Sequence, residues 1–184
     1  MGTTFSGQSV NDVLARTLPV TGRLAVLSIG IEFLLSIIVG TFSALRKGKV
    51  SDNVALIIAL VFLSMPIFVM CFLAQYFLAI QLGWFRPTVG GQNGWGDMWL
   101  PAIVLGLSLY ATSMRLMRGS VIETMNQDWV RTAYSKGLPQ YRVLPVHVIR
   151  NSLIPVITNS ATNFGVLLVG ATVTEFIFNI PGVG

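Results

Sequence analysis

Long apolar stretches separated by polar connections set the hydrophobic pattern of the chain. A helix needs about 20 mainly apolar residues to cross the hydrocarbon core of a membrane. Such stretches lie at about residues 24–45, 54–82, 100–117 and 153–178. Pro66 predicts a kink in the second, and Ser36, Gly40 and Ala44 share a face of the first that allows close helix packing. The pattern predicts an all-α, polytopic transmembrane bundle of about four spans.

The connection at residues 118–150 is longer than the others and is itself patterned. Between Gly119 and Lys136, apolar residues recur every three or four positions, at Ile122, Met125, Trp129 and Ala133. This spacing is typical of one face of a helix. Gly137 permits a left-handed turn at the helix end, and Pro139 prevents the helix from continuing. A second helix is predicted from about Gln140. An interfacial helix and a docking element for a soluble partner both fit this helix–turn–helix pattern.

Composition and charge place the chain in a membrane. Hydrophobic residues make up 53% and charged residues 10%, with a mean hydropathy of +0.73; a soluble domain carries about 25% charged residues. Basic residues gather at 46–49 and 118–150, at the edges of apolar runs. Because cytoplasmic connections are enriched in Lys and Arg, these two are predicted to be cytoplasmic, with 83–99 and both chain ends outside. The basic residues have no interleaved aromatic platform, which argues against nucleic-acid binding.

Several functional classes lack their signatures. Cys71 and His147 are the only cysteine and histidine, so neither a disulfide framework nor a Cys/His metal site is expected. No Ser/His/Asp set, metal-ligand motif or Gly-x-x-x-x-Gly-Lys loop is present, so the chain is not expected to be an enzyme or to bind ATP itself. Paired intramembrane charges, inverted repeats and a filter-like loop are also missing, which argues against a secondary transporter or a channel.

Three polar residues within the spans are candidates for a translocation path. Asn159 and Asn163 lie one helical turn apart in the fourth stretch, and Glu32 lies in the first. Polar groups at membrane depth face either a neighbouring helix or a water-filled cavity. A carboxylate there also needs a cation, a polar neighbour, water or a proton. Hydrogen bonding between helices and lining of a path both remain open.

Two motifs resemble a known family. Residues 131–139 (Arg-Thr-Ala-Tyr-Ser-Lys-Gly-Leu-Pro) and 147–158 (His-Val-Ile-Arg-Asn-Ser-Leu-Ile-Pro-Val-Ile-Thr) resemble the EAA loop of binding-protein-dependent ABC importers. They are most similar to the oligopeptide, dipeptide and nickel permease branch. Arg131 and Thr132 stand where the loop usually has glutamate and alanine, as is common in that branch. Residues 9–14 and 170–184 resemble flanking family segments. Since family members usually carry a further span at each end, the first and last spans are expected to be missing.

The resemblance implies a permease subunit in a bacterial or archaeal cytoplasmic membrane, importing oligopeptides or dipeptides, or alternatively nickel or another small solute. The implied partners are two cytoplasmic ATP-binding subunits, a second homologous permease and an extracytoplasmic substrate-binding protein, with ATP bound by the partners and no cofactor in this chain. The residues expected to couple to the ATPase are Trp129, Arg131, Thr132, Ala133, Lys136, Gly137 and Leu138. Leu138 is expected to fill a partner pocket, and Arg131 and Lys136 to pair with partner acids.

Overall fold

A computed structural model describes residues 9–90, 95–169 and 171–184. Helices account for every regular element of these residues, which confirms the all-α prediction. The α-helices are α1 (Val10–Leu45), α2 (Val50–Ser64), α3 (Ile67–Ala74), α4 (Trp99–Met125), α5 (Asp128–Ser135), α6 (Gln140–Val143), α7 (Arg150–Val169) and α8 (Thr172–Ile177). Two π-helical segments, Gln75–Gln81 and Leu144–Ile149, continue α3 and α6.

Among the described residues, α1 and α4 are long and apolar enough to cross a membrane. The α2–α3 pair makes a third candidate span if the two helices are counted together. The pair is interrupted at Met65 and Pro66, because proline cannot donate the backbone hydrogen bond that would continue a helix. The predicted fourth span, residues 153–178, is divided between two helices: α7 ends at Val169 and α8 starts at Thr172. Gly170 lies outside the described residues, as do residues 91–94 of the predicted outer connection and residues 1–8 of the predicted outer N-terminus.

The helices overrun the predicted span boundaries. Helix α1 begins at Val10 rather than near residue 24, and α4 continues to Met125 rather than ending near residue 117. Charged residues mark the edge of the apolar region without ending a helix, so span limits that follow the charge pattern fall inside the helices. The single amphipathic helix predicted for residues 119–136 is therefore wrong. Its first part is the end of α4, and its second part is the separate helix α5.

The chain divides into two compact units. The first contains Met1–Ile31, Met65–Gly106 and Asn163–Gly184. Its buried apolar side chains include Leu24, Met98, Leu100 and Phe178. Helices α1 and α4 approach closely there: a Cβ added at Gly106 would lie 3.0 Å from the carbonyl oxygen of Ser28.

The second unit contains Glu32–Ser64 and Leu107–Thr162. One cluster of buried side chains consists of Ala44, Met117, Val121, Val130, Ala133, Val143, Val148 and Val156. A neighbouring cluster consists of Ala55, Ala59, Tyr110, Ala111 and Met114. Gly40 of α1 lies against Met117 and Met114 of α4, where an added Cβ would meet the Met117 Cβ at 2.8 Å. The close packing predicted for the small-residue face of α1 is thus present at Gly40.

Candidate functional site

The long polar connection forms a helix–turn–helix, residues 128–149. Helix α5 starts after a break at Asn126 and Gln127, whose amides donate to the carbonyls of Glu123 and Thr124 at 3.1 Å each. The chain turns at Gly137, which has a φ of +77° and donates its amide to the carbonyl of Tyr134 at 2.9 Å. The left-handed turn predicted for Gly137 is confirmed; a side chain would be strained there.

The 128–149 segment is packed tightly onto its own unit. Val130 and Ala133 of α5 are buried, with 1% and 6% of their surface exposed, in the cluster that Met117 and Val121 of α4 also join. Trp129, predicted to share the buried face, is instead 52% exposed. The break at residues 126–127 resets the helical register, so Val130 takes the inward position. The segment is therefore joined to α4 and α7 by packing as well as by the chain.

A pocket of about 330 Å³ opens beside α5. Its lining residues are Trp129, Thr132, Ala133, Lys136, Leu138 and His147. Five of the seven residues predicted to couple to an ATPase therefore line one pocket. Of the other two, Arg131 is exposed elsewhere on α5 and Gly137 forms the turn. Leu138 is partly buried against the cluster that contains Met117, Val130 and Ala133, and it forms part of the pocket's wall. His147 is an added member that only the fold brings to α5.

The surface of the segment is basic. Among residues 128–150 the exposed charged side chains are Asp128, Arg131, Lys136, Arg142 and Arg150. Within the part of the chain that the structure describes, the side chains of Lys136 and His147 have no hydrogen-bond or ion-pair partner. Two polar groups that an anion would satisfy thus line an otherwise largely apolar pocket.

A buried ion pair ties the α1–α2 turn to α4. Arg118 donates from Nε and Nη2 to the two carboxylate oxygens of Asp52, both at 2.8 Å. Ser43 donates to the same carboxylate, and the amide of Gly48 donates to it at 2.9 Å. Asp52 is 1% exposed. Sequence reasoning missed this pair because the two residues are 66 positions apart.

Glu32 joins three helices. Its fully buried carboxylate accepts hydrogen bonds from Ser113 of α4 and from Ser160 of α7, the latter at 2.9 Å. Asn159 of α7 donates to the Ser113 hydroxyl at 2.8 Å. In this conformation Glu32 and Asn159 therefore serve contacts between helices. Asn163 is partly exposed and lies outside this cluster.

A further buried carboxylate, Glu175 of α8, accepts hydrogen bonds that hold the C-terminal residues. Thr21 donates to Glu175 at 2.6 Å, and the amide of Gly184 donates to it at 2.8 Å. The Thr21 hydroxyl also accepts from the amide of Val183 at 3.0 Å. A Cβ at Gly182 would overlap the Glu175 carboxylate. The Pro-Gly-x-Gly sequence is thus explained by close approach of backbone to a buried acid.

Most of the chain matches one known protein family. Residues 36–184 match the family model described as "Binding-protein-dependent transport system inner membrane component". The match includes α2 to α8, the residues that line the pocket, and the two serines, Ser113 of α4 and Ser160 of α7, that donate to Glu32.

Curated relatives align with almost the whole chain. A putative peptide transport system permease protein of Brucella abortus is 37% identical over 183 residues, which is 96% of this chain and 58% of that protein. The oligopeptide transport system permease protein OppB of Haemophilus influenzae is 34% identical, over 98% of this chain and 59% of its own length. The dipeptide transport system permease protein DppB of Bacillus subtilis is 35% identical, over 96% and 56%. The chain thus spans less than two thirds of the length of these relatives.

A solved structure has the same fold. A chain of an amino acid ABC transporter, crystallised with histidines, superposes with a TM-score of 0.69 and 19% sequence identity, covering 100% of this chain and 80% of that one. At this identity the likeness concerns the fold alone.

Proposed function

Because the chain belongs to the family of inner membrane components of binding-protein-dependent transport systems, we propose that it is a permease subunit of an ATP-driven importer. It forms part of the path by which oligopeptides or dipeptides cross the cytoplasmic membrane. The relatives named for peptide, oligopeptide and dipeptide transport favour this substrate class over nickel. Hydrolysis of ATP belongs to separate chains in this proposal.

The 128–149 segment is the coupling element of the proposed importer. A lever that passes motion from a cytoplasmic ATPase to membrane helices must be rigid and connected without slack. Helix α5 meets this requirement because Val130 and Ala133 bury it against α4. Two residues, Asn126 and Gln127, separate it from α4, and its other end runs through α6 and a π-helical segment directly into α7. This packing of α5 is the observation that carries the proposal.

The complete transporter is proposed to contain two cytoplasmic ATP-binding subunits, a second homologous permease and an extracytoplasmic substrate-binding protein. In the proposed topology the 128–149 segment and the α1–α2 turn face the cytoplasm, in keeping with their basic side chains. Asn163 remains a candidate for the translocation path, since no hydrogen bond to another described residue occupies its side chain. Four membrane spans in this chain also remain a prediction.

Co-purification and uptake test the proposal together. The chromosomally encoded protein is tagged, extracted from the host membrane and examined for co-eluting ATP-binding subunits, and the same strain is assayed for uptake of labelled dipeptides, tripeptides and nickel. Gly137→Pro removes the turn, because proline cannot adopt a positive φ. Ala133→Asp is less informative, because it would place an unpaired charge in the cluster that holds α5. Gly119→Ala, in the last turns of α4 with open space around it, is the matched control.

We expect wild type and Gly119→Ala to retain the ATP-binding subunits and import peptides, and Gly137→Pro to lose both while remaining in the membrane. Failure of the wild type to bind any ATP-binding subunit would overturn the permease assignment. Uptake of nickel without uptake of peptides would overturn the substrate class.

A further inference from the structure

The pocket beside α5 has a chemistry that identifies what enters it. We propose that this pocket receives an acidic side chain from the ATP-binding partner, with its carboxylate held by Lys136 and His147 and its stem against Trp129 and Leu138. The inference rests on the proposed function and deepens it. The 128–149 segment would then bind the partner in two ways: α5 contacts the partner's surface, and the pocket receives an acidic side chain from the partner.

The lining divides into two chemical regions. Trp129, Ala133 and Leu138 provide apolar surface, and Lys136 and His147 provide groups that bind anions. Neither the Lys136 nor the His147 side chain makes a hydrogen bond or an ion pair with another described residue. The hydroxyl of Thr132, by contrast, is already committed to the carbonyl of Asp128 at 2.9 Å. A ligand with an apolar stem and an anionic tip matches this division, and glutamate has that form.

The size and surroundings of the pocket favour a protein side chain over a small free anion. A volume of about 330 Å³ is at the lower end of the ligand pockets of proteins, about 300–1,000 Å³, and a small anion would leave the apolar wall uncovered. Trp129, at 52% exposed, offers a large surface that docking would bury. Residues 128–150 around it carry four exposed basic residues and one exposed acidic one, and this excess of positive charge complements an acidic partner face.

Two substitutions test the space inside the pocket and its positive charge separately. Thr132→Phe fills the pocket from its exposed side, and Lys136→Glu reverses its charge. Ser135→Phe is matched to the first: Ser135 is also exposed on α5 and donates to the carbonyl four residues earlier, but it does not line the pocket. Arg142→Glu is matched to the second, since Arg142 is exposed on the same segment outside the pocket. All four sites are exposed, so the variants leave the buried cluster unchanged.

Binding of the purified ATP-binding subunits to the detergent-extracted protein is measured by titration. We expect Thr132→Phe and Lys136→Glu each to weaken binding by about tenfold or more and the two controls by less than about threefold. Each acidic residue on the partner's docking face is then changed to lysine. One of these changes should restore binding to Lys136→Glu while weakening binding to the wild type.

Equal binding by the pocket variants and the controls would overturn the proposal, and so would failure of every partner reversal to rescue Lys136→Glu. Failure of this inference is distinguishable from failure of the proposed function. If Gly137→Pro abolishes binding and the pocket variants do not, the segment docks without using the pocket. If the wild type itself binds no ATP-binding subunit, the proposed function fails first.

Discussion

Arg118 of α4 donates two hydrogen bonds of 2.8 Å to the carboxylate of Asp52, at the start of α2. The same carboxylate accepts the amide of Gly48, in the turn between α1 and α2. The pair therefore fixes this turn to the helix that ends next to α5. In the proposed importer, a displacement of the 128–149 segment would move the α1–α2 turn together with α4.

Removing the cation of this pair should destabilise the protein. In Arg118→Gln the nearly inaccessible Asp52 carboxylate loses its counter-charge, and breaking a buried pair costs about 3–5 kcal/mol. We expect the lower end of that range, because the Arg118 side chain is 22% exposed. Thermal unfolding of the detergent-purified protein measures the effect. Arg115→Gln, an exposed position on α4, is the control, and equal melting temperatures of the two variants would contradict the role of the pair.

Substitution at Gly40 should separate α1 from α4. An alanine Cβ there would lie 2.8 Å from the Met117 Cβ and 2.9 Å from the Met114 carbonyl oxygen, and overpacking a close contact costs about 1–3 kcal/mol. Gly30→Ala is the matched control on α1, because nothing lies within 4 Å of its added Cβ. We expect a lower melting temperature for Gly40→Ala only. A similar loss in both variants would point to a general effect of replacing glycine in α1.

Loss of the Glu32 carboxylate should leave buried hydroxyls without an acceptor. Glu32→Leu removes the acceptor of both Ser113 and Ser160, and an unsatisfied buried group costs about 1–3 kcal/mol. Glu32→Gln keeps one acceptor oxygen, so we expect a smaller loss. Melting temperatures should fall in the order wild type, Gln, Leu.

A compensating substitution tests why Glu32→Leu lowers the stability of the protein. Adding Ser160→Ala removes one stranded donor and should recover part of the lost stability; Ser113 is kept because its hydroxyl also accepts from Asn159. If the double variant Glu32→Leu/Ser160→Ala is as unstable as Glu32→Leu or less stable, the contact of the Ser160 hydroxyl with the carboxylate is not what Glu32 contributes.

Backbone conformation alone should decide the effect of substitution at Gly137. No atom lies within 4 Å of an added Cβ, so Gly137→Ala pays only for the left-handed conformation, about 1–2 kcal/mol. Gly137→Asn should be milder, because asparagine tolerates this region. ATPase activity stimulated by substrate reports the effect, with Gly119→Ala as control. Equal activity of the Ala and Asn variants and the wild type would show that the turn tolerates any side chain.

Periodicity predicted α5 in part and failed where the helix breaks. Residues 119–136 carry no proline, and the 3.6-residue spacing continues through Asn126 and Gln127, so the pattern predicts one helix. The structure divides it, and Val130 rather than Trp129 is buried. The reason is tertiary: α5 turns so that Val130 and Ala133 reach the cluster with Val143 and Val148. No local signal in the sequence distinguishes that packing.

The membrane class, the helical fold, the family and the turn at Gly137 are all predictable from the order of the amino acids. Hydropathy, backbone hydrogen bonding and glycine's conformational freedom act over neighbouring residues, so they can be read along one chain. Three contacts depend on how the helices pack: Arg118 binds Asp52, Glu32 binds two serines, and His147 lines a pocket with residues of α5. These contacts join residues far apart in the chain, because side chains become neighbours only when helices pack, and the identity of a neighbour is not encoded at either position alone.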